Sequence, residues 1–293
     1  MKTLIGLMLA LGLILTSTPS THAADGKINV VAAENFYGDI ARQIGGGEVT
    51  VASIMSNPDQ DPHLFETTPS TVRQIAAAQV VILNGADYDP WMDKLLKASP
   101  NSGRIAIVVA DLVGKKAGDN PHLWYDPITM PAAAKAMADA FAKADPAHKD
   151  GYAARLKTFL ASLKLINEKI AAIRGKFAGT PVTASEPVFG YMAAALGLVM
   201  RNERFQLAVM NDTEPSASDI AAFEGDLKQH RVKLLIYNSQ ATDESAKRLL
   251  GIAHKSKVPV IGVTETEPPG KTFQDWMLGQ LDALDDAMAK PGS

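Results

Sequence analysis

Short apolar runs rich in Val and Ile recur along the chain, with helix-patterned stretches between them. Residues 28–33, 49–55, 80–84 and 105–110 read as strands, and residues 36–44 and 72–78 space their apolar positions as helices do. Strands separated by helices predict a parallel sheet with helical crossovers. The alternation then breaks. Residues 130–144 read as a helix, and residues 152–174 follow with no Gly or Pro. Their apolar positions Tyr152, Leu156, Phe159, Leu160, Leu163, Ile166, Ile170 and Ile173 mostly step by three or four. This predicts one helix of about 23 residues, roughly 35 Å long at ~1.5 Å per residue. Such a segment is a strut rather than a flexible linker.

Gly175 and Gly179 close the strut, and the alternation resumes. Residues 182–184, 234–237 and 258–263 read as strands; residues 216–230, 243–254 and 272–288 read as helices. The predicted fold class is α/β: two lobes, each a mostly parallel sheet with flanking helices, joined by one long rigid helix. The expected boundaries are 24–145 for the first lobe, 146–177 for the linking helix and 178–293 for the second lobe. No internal repeat or low-complexity segment is visible.

The first residues bear on location. Lys2 precedes an apolar run over residues 4–15, then small and polar residues lead to Thr21-His22-Ala23. This is the layout of a secretory signal peptide, expected to span residues 1–23. Roughly a dozen apolar residues is short for a bilayer span, and no later segment has a long uncharged apolar run. The mature chain is therefore expected to be exported, not membrane-spanning, and most simply periplasmic.

Composition narrows the function classes. Of 293 residues, 46% are apolar, enough to fill large cores, and 29 basic against 32 acidic side chains give a net charge of −3. Nucleic-acid binding would need a basic patch or stripe, which this chain lacks. There is no cysteine, which removes thiol catalysis, thiolate metal ligands and lipid attachment through an N-terminal cysteine.

In open parallel sheets, ligands bind outside the carboxyl ends of the strands. The loop after 49–55 carries His63 and Glu66, and the loop after 105–110 reaches Asp119-Asn120-Pro121-His122. Ser185-Glu186-Pro187 follows 182–184, and Thr264-Glu265-Thr266-Glu267 follows 258–263. Two imidazoles from one lobe and carboxylates from the other make a suitable nest for a divalent transition metal. Each residue also has an ordinary role: a surface histidine, a solvated acidic turn, or, for Glu186, a cap on a helix beginning at Val188. His148, His230 and His254 lie on helix-patterned stretches or next to them, and suit such roles.

Several ordered motifs resemble the periplasmic metal-binding proteins of zinc and manganese ABC importers. "AAENFYGDIARQIGG" is similar to that family's first strand-to-helix turn, and "DPHLFETTPSTVRQIAAAQVVILNG" to its stretch in which a histidine precedes a helix and a strand. "NPHLWYDP" resembles the second histidine motif; "SEPVFGYMAAALGL" and "NDTEPSASDI" resemble signatures of the second lobe. The resemblance implies metal ligands at His63, His122, Glu186 and Glu265, with Glu267 as the alternative fourth. At the third position zinc-type members usually have histidine and manganese-type members glutamate. Many zinc-type members also carry a long His-rich loop between the histidine motifs, where this chain has only "VGKKAGDN". Both departures point to manganese or ferrous iron as cargo, with zinc also compatible because nitrogen/oxygen sites bind it more tightly than manganese.

The resemblance further implies a monomeric, non-enzymatic solute-binding protein whose partners are a membrane permease and its ATPase. Glu66 and Asp126 are expected to orient the histidines through their second ring nitrogens. The alternatives are an exported metal-dependent hydrolase and a metal-stabilised adhesin. Against the hydrolase, no H-E-x-x-H or G-x-S-x-G motif is present.

Overall fold

The computed structural model describes residues 26–57, 65, 67–211, 213–240 and 244–289, with only the backbone at 245 and 246. The proposed signal segment, His63 and Glu66 lie outside the described residues.

The first sheet comprises β1 (Ile28–Glu34), β2 (Val49–Met55), β3 (Val80–Leu83) and β4 (Ile105–Val108) in the order β2-β1-β3-β4. All pairings are parallel. Its helices are α1 (Asn35–Gly45), α2 (Pro69–Ala77), α3 (Pro90–Ala98) and α4 (Val109–Leu112), followed by α5 (Thr129–Ala144). The second sheet comprises β5 (Pro181–Ala184), β6 (Val199–Arg201), β7 (Leu235–Asn238) and β8 (Val260–Val263), also parallel, in the equivalent order β6-β5-β7-β8. With it run α8 (Gly190–Ala195), α9 (Glu203–Met210), α10 (Ala217–Lys228), α11 (Glu244–Lys255) and α12 (Phe273–Ala289).

The two-residue period of a strand explains how these layers are filled. In β1, Ile28, Val30 and Ala32 face one core while Val31 and Ala33 face another. β3 divides in the same way, Val80 and Ile82 against Val81 and Leu83. The outer face is covered by Ile75 of α2 and by Met92 and Leu95 of α3. In the second sheet Phe223, Leu227 and Leu249 from α10 and α11 cover Leu235. The inner faces of both sheets instead join one continuous apolar core with α1, α5 and α12. A sheet covered on both faces needs near-continuous apolar strands, as the sequence shows. Gly38 lets α1 approach β2 closely, since a Cβ there would lie 2.0 Å from Ser53 Oγ.

The expected strut is built as two fourteen-residue helices, α6 (Lys149–Ser162) and α7 (Lys164–Phe177), abutting at Leu163. Ser162 Oγ donates to the Phe159 carbonyl at 2.7 Å, a side-chain bond of the kind that bends helices. α7 packs against α12, and Lys169 and Lys176 both pair with Asp285 there. The second half of the connection is thus bound to the second lobe, while α6 packs on α1 and α5 of the first, where Arg155 donates to the Ile44 and Gly45 carbonyls. Because the lobes share an apolar core, free hinge motion is not the default for this chain.

Other differences from the sequence pattern are local. β4 ends at Val108 and the chain turns directly into α4. α3, α8, α9 and β6 are additional elements, each short.

Candidate metal centre

The carboxyl ends of the two sheets meet across a network of hydrogen bonds. Asn35, at the start of α1, donates from Nδ2 to the Glu267 carbonyl (2.7 Å) and accepts at Oδ1 from the Glu267 N–H (2.9 Å). Asp39 Oδ2 accepts from the N–H of Phe273, the first residue of α12 (3.0 Å). Tyr125 donates to the Thr264 carbonyl (2.7 Å). Beneath these contacts lie Phe36, Trp124, Tyr125 and Trp276, with neighbouring ring centroids 4.7 to 6.0 Å apart.

His122 is fully buried at this junction, as is Glu265. Its Nδ1–H donates to Asn120 Oδ1 (2.7 Å), and the same oxygen accepts the His122 backbone N–H (3.1 Å). Asn120 cannot present its amide the other way round, because Nδ2 donates to the Pro187 carbonyl (2.7 Å). A neutral imidazole held like this keeps its proton on Nδ1 and leaves an Nε2 lone pair. That Nε2 has no hydrogen-bond partner and faces Glu265 Oε2 at 3.4 Å. Two buried acceptors turned towards each other are unfavourable without a proton or a cation between them.

Glu265 is itself held from both lobes. Tyr88 donates to its Oε2 (2.9 Å), and Asn238, the last residue of β7, donates to its Oε1 (2.7 Å). Asn238 Nδ2 also reaches Glu186 Oε2 (3.2 Å). Glu186 sits where a cap would be, yet makes no side-chain cap bond to the short helical turn Pro187–Phe189 that follows. Its carboxylate is turned to Asn238 instead, so the capping role does not apply. His122, Glu265 and Glu186 are therefore joined through Asn120, Tyr88 and Asn238. Among the described residues no three His, Asp or Glu side chains form a ligand cluster by themselves.

Glu267 is placed differently from Glu265. Its backbone engages Asn35, and its carboxylate lies in the field of Asp39 and Arg42 on α1. Burial, reinforced by Asp39 and partly offset by Arg42, pushes its pKa up to about 8. The expectation that Asp126 orients the His122 ring is corrected: its Oδ1 accepts the Ile128 N–H (3.2 Å), and Asn120 holds that ring.

Tyr88 arrives by an unusual route. Gly85, Ala86 and Asp87 all have positive φ (76°, 52° and 62°), a conformation that costs energy for residues with a Cβ. The turn is held by Asp89, whose carboxylate accepts the N–H groups of Asn84 (2.7 Å) and Gly85 (2.8 Å). Burial pushes the Asp89 pKa up to about 6, the two N–H bonds limiting the rise. Glu34 lies fully buried alongside, with no donor to either carboxylate oxygen. Burial and then the neighbouring Asp89 hold its pKa well above the usual range. Burial, followed by Glu265 and Glu34, does the same for the Tyr88 hydroxyl, which stays protonated and able to donate.

The strand-end reading omitted the loops after 80–84 and 234–237, which supply Tyr88, Asn238 and Gln240. Their signal was position, since each follows a strand, but a phenol and amides are not conspicuous as metal chemistry. Asn120 stood within a recognised motif.

The comparisons agree with this architecture. The metal ABC transporter substrate-binding lipoprotein SloC of Streptococcus mutans is 25% identical over 97% of this chain and 98% of its own. The iron ABC transporter substrate-binding lipoprotein MtsA of Streptococcus pyogenes is 23% identical over 99% of both. Among solved structures, the periplasmic zinc binding protein TroA of Treponema pallidum superposes with a TM-score of 0.76 at 19% identity, covering 90% of this chain and all of that one. A manganese-bound periplasmic metal binding protein variant from Candidatus Liberibacter asiaticus gives 0.73 at 20% identity, covering 89% and 100%. These structures share the two-lobed fold. Residues 30–287 match the family described as zinc-uptake complex component A, periplasmic (ZnuA), and the chain belongs to that family.

Proposed function

We propose that the chain is the solute-binding component of an ABC importer, holding a divalent transition metal between its lobes and handing it to a membrane permease driven by an ATPase. Family membership and the names of the relatives support the transport role. The observation that carries the site is the fully buried His122 Nε2, which has no hydrogen-bond partner and faces Glu265 Oε2 at 3.4 Å. His122, Glu186 and Glu265 are the proposed ligands, with His63 completing the set. Glu265 is preferred to Glu267 because its carboxylate, and not that of Glu267, adjoins His122.

As for the cargo, the relatives are named for iron or for metal in general, and the structural neighbours for zinc or manganese. Those names do not choose among the metals. The proposed donor set favours manganese or ferrous iron, with zinc compatible: one carboxylate stands where zinc-type sites have an imidazole, and oxygen donors extend the range towards those metals. The chain is proposed to act as a periplasmic monomer without catalysis. It has no cysteine to carry a lipid, and no described helix is long and apolar enough to cross a membrane.

The test is metal analysis of protein purified from its native periplasm, then competitive titration of the apo form with Mn2+ and Zn2+. One equivalent is expected in wild type, and loss of at least tenfold in affinity in His122→Ala. Unchanged affinity in that variant sinks the site assignment.

A further inference from the structure

β7 lies between β5 and β8, so the loops carrying Glu186 and Glu265 flank its carboxyl end. Asn238 closes that strand, is only 3% exposed, and serves both carboxylates from one amide nitrogen, at 3.2 and 2.7 Å. Its orientation is determined. Oδ1 accepts the Gln240 N–H (3.1 Å), so Nδ2 must face the acids, and its own N–H donates to Ser185 Oγ (3.0 Å), next to Glu186. Gln240 grips the other loop, its Oε1 accepting the N–H groups of Glu265 (2.6 Å) and Thr266 (3.1 Å).

The choice of an amide is informative. Two buried carboxylates side by side repel each other. A lysine or arginine between them would relieve this, but its charge would compete with an incoming cation. A hydroxyl has one hydrogen and serves one acid; an amide NH2 has two, carries no charge, and serves both. The carboxylates are thereby kept close and directed without being neutralised.

We propose that Asn238 is a positioning residue that fixes the spacing of Glu186 and Glu265 and so favours ions needing many oxygen ligands, such as Mn2+, over Zn2+. The inference rests on the metal-site reading above. Zn2+ is satisfied by four donors and tolerates a displaced carboxylate oxygen. Mn2+ is suited by octahedral, oxygen-rich coordination, so the loss of an oxygen donor weighs more on it.

The experiment compares wild type, Asn238→Leu and Asn238→Ser as full-length mature protein. Leu matches the size without a donor, and Ser keeps a polar group too short to bridge. Apo proteins are titrated with MnCl2 and ZnCl2 against a competing chelator, and the Co2+ electronic spectrum reports coordination number. Expected are one bound equivalent throughout, Mn2+ affinity lowered by about 10- to 100-fold, a clearly smaller loss for Zn2+, and stronger Co2+ d–d absorption as coordination falls. Equal losses for both metals with an unchanged Co2+ spectrum reduce Asn238 to a structural role and overturn the proposal, as does wild-type behaviour in both variants. A wild-type protein that takes up neither metal overturns the metal-site reading, and this proposal with it.

Discussion

Asn120→Ala removes the group that joins a proposed ligand of one lobe to the turn of the other. Three contacts go together: the acceptor for His122 Nδ1–H (2.7 Å), the acceptor for the His122 backbone N–H (3.1 Å), and the donor to the Pro187 carbonyl (2.7 Å). That carbonyl keeps the Gly190 N–H, whereas the imidazole loses what fixes its ring. At roughly 0.5–1.5 kcal/mol for each half-buried bond, unfolding should become easier by about 2–4 kcal/mol. Loss of the group orienting a histidine ligand typically weakens metal binding about 10- to 100-fold, or about 1.4–2.7 kcal/mol. Asn120→Asp separates the two effects. It keeps both acceptor bonds to His122 but sets a carboxylate oxygen against the Pro187 carbonyl, so stability should fall while affinity stays at or above wild type. Urea unfolding of the apo proteins and competitive Mn2+ titration measure the two quantities. Wild-type affinity in Asn120→Ala, or equal affinity losses in both variants, would refute the ring-orienting role.

Two further outcomes are expected. Metal at one hundred times its Kd should stabilise the protein by about 2.7 kcal/mol and raise Tm by about 5–10 °C, with reversal on adding EDTA; a scan indifferent to both additions contradicts tight binding by the folded state. The second concerns Glu34 and Asp89, whose folded pKa values lie above their unfolded ones. The folded state then binds more protons, so their favourable contribution is complete below the unfolded values, near pH 4, and is lost as pH rises through the folded value, about 6 for Asp89. Glu34→Gln should remove part of this loss, so its stability relative to wild type should grow between pH 4 and 8; a constant difference in urea unfolding across that range rejects the coupling.

Much of the fold was legible because each rule it rests on is local. Runs such as 28–33 and 80–84 are β-branched and apolar on both faces, as a doubly covered parallel strand must be. The break at Leu163 was not legible, since no Gly or Pro marks it and the feature beside it is a serine hydroxyl bonded to the Phe159 carbonyl within the helix. His122, Glu186 and Glu265 could be nominated from the strand-end rule, but Glu186 had an equally good local explanation as a cap. The tertiary structure removes that explanation, since Glu186 makes no side-chain cap bond and its carboxylate is reached instead by Asn238, 52 residues away in sequence.

By itself the sequence determined the two α/β lobes, the connecting helical segment and the pool of imidazoles and carboxylates at the strand ends. Periodicity and chain order are enough for those. The tertiary structure decided which members of the pool meet. It set Glu265 rather than Glu267 against His122, and it gave Tyr88, Asn120 and Asn238 the work of holding them. The reason is that a buried polar atom must find its partner in space. Those partners lie across a lobe junction, where separation along the chain carries no information about distance.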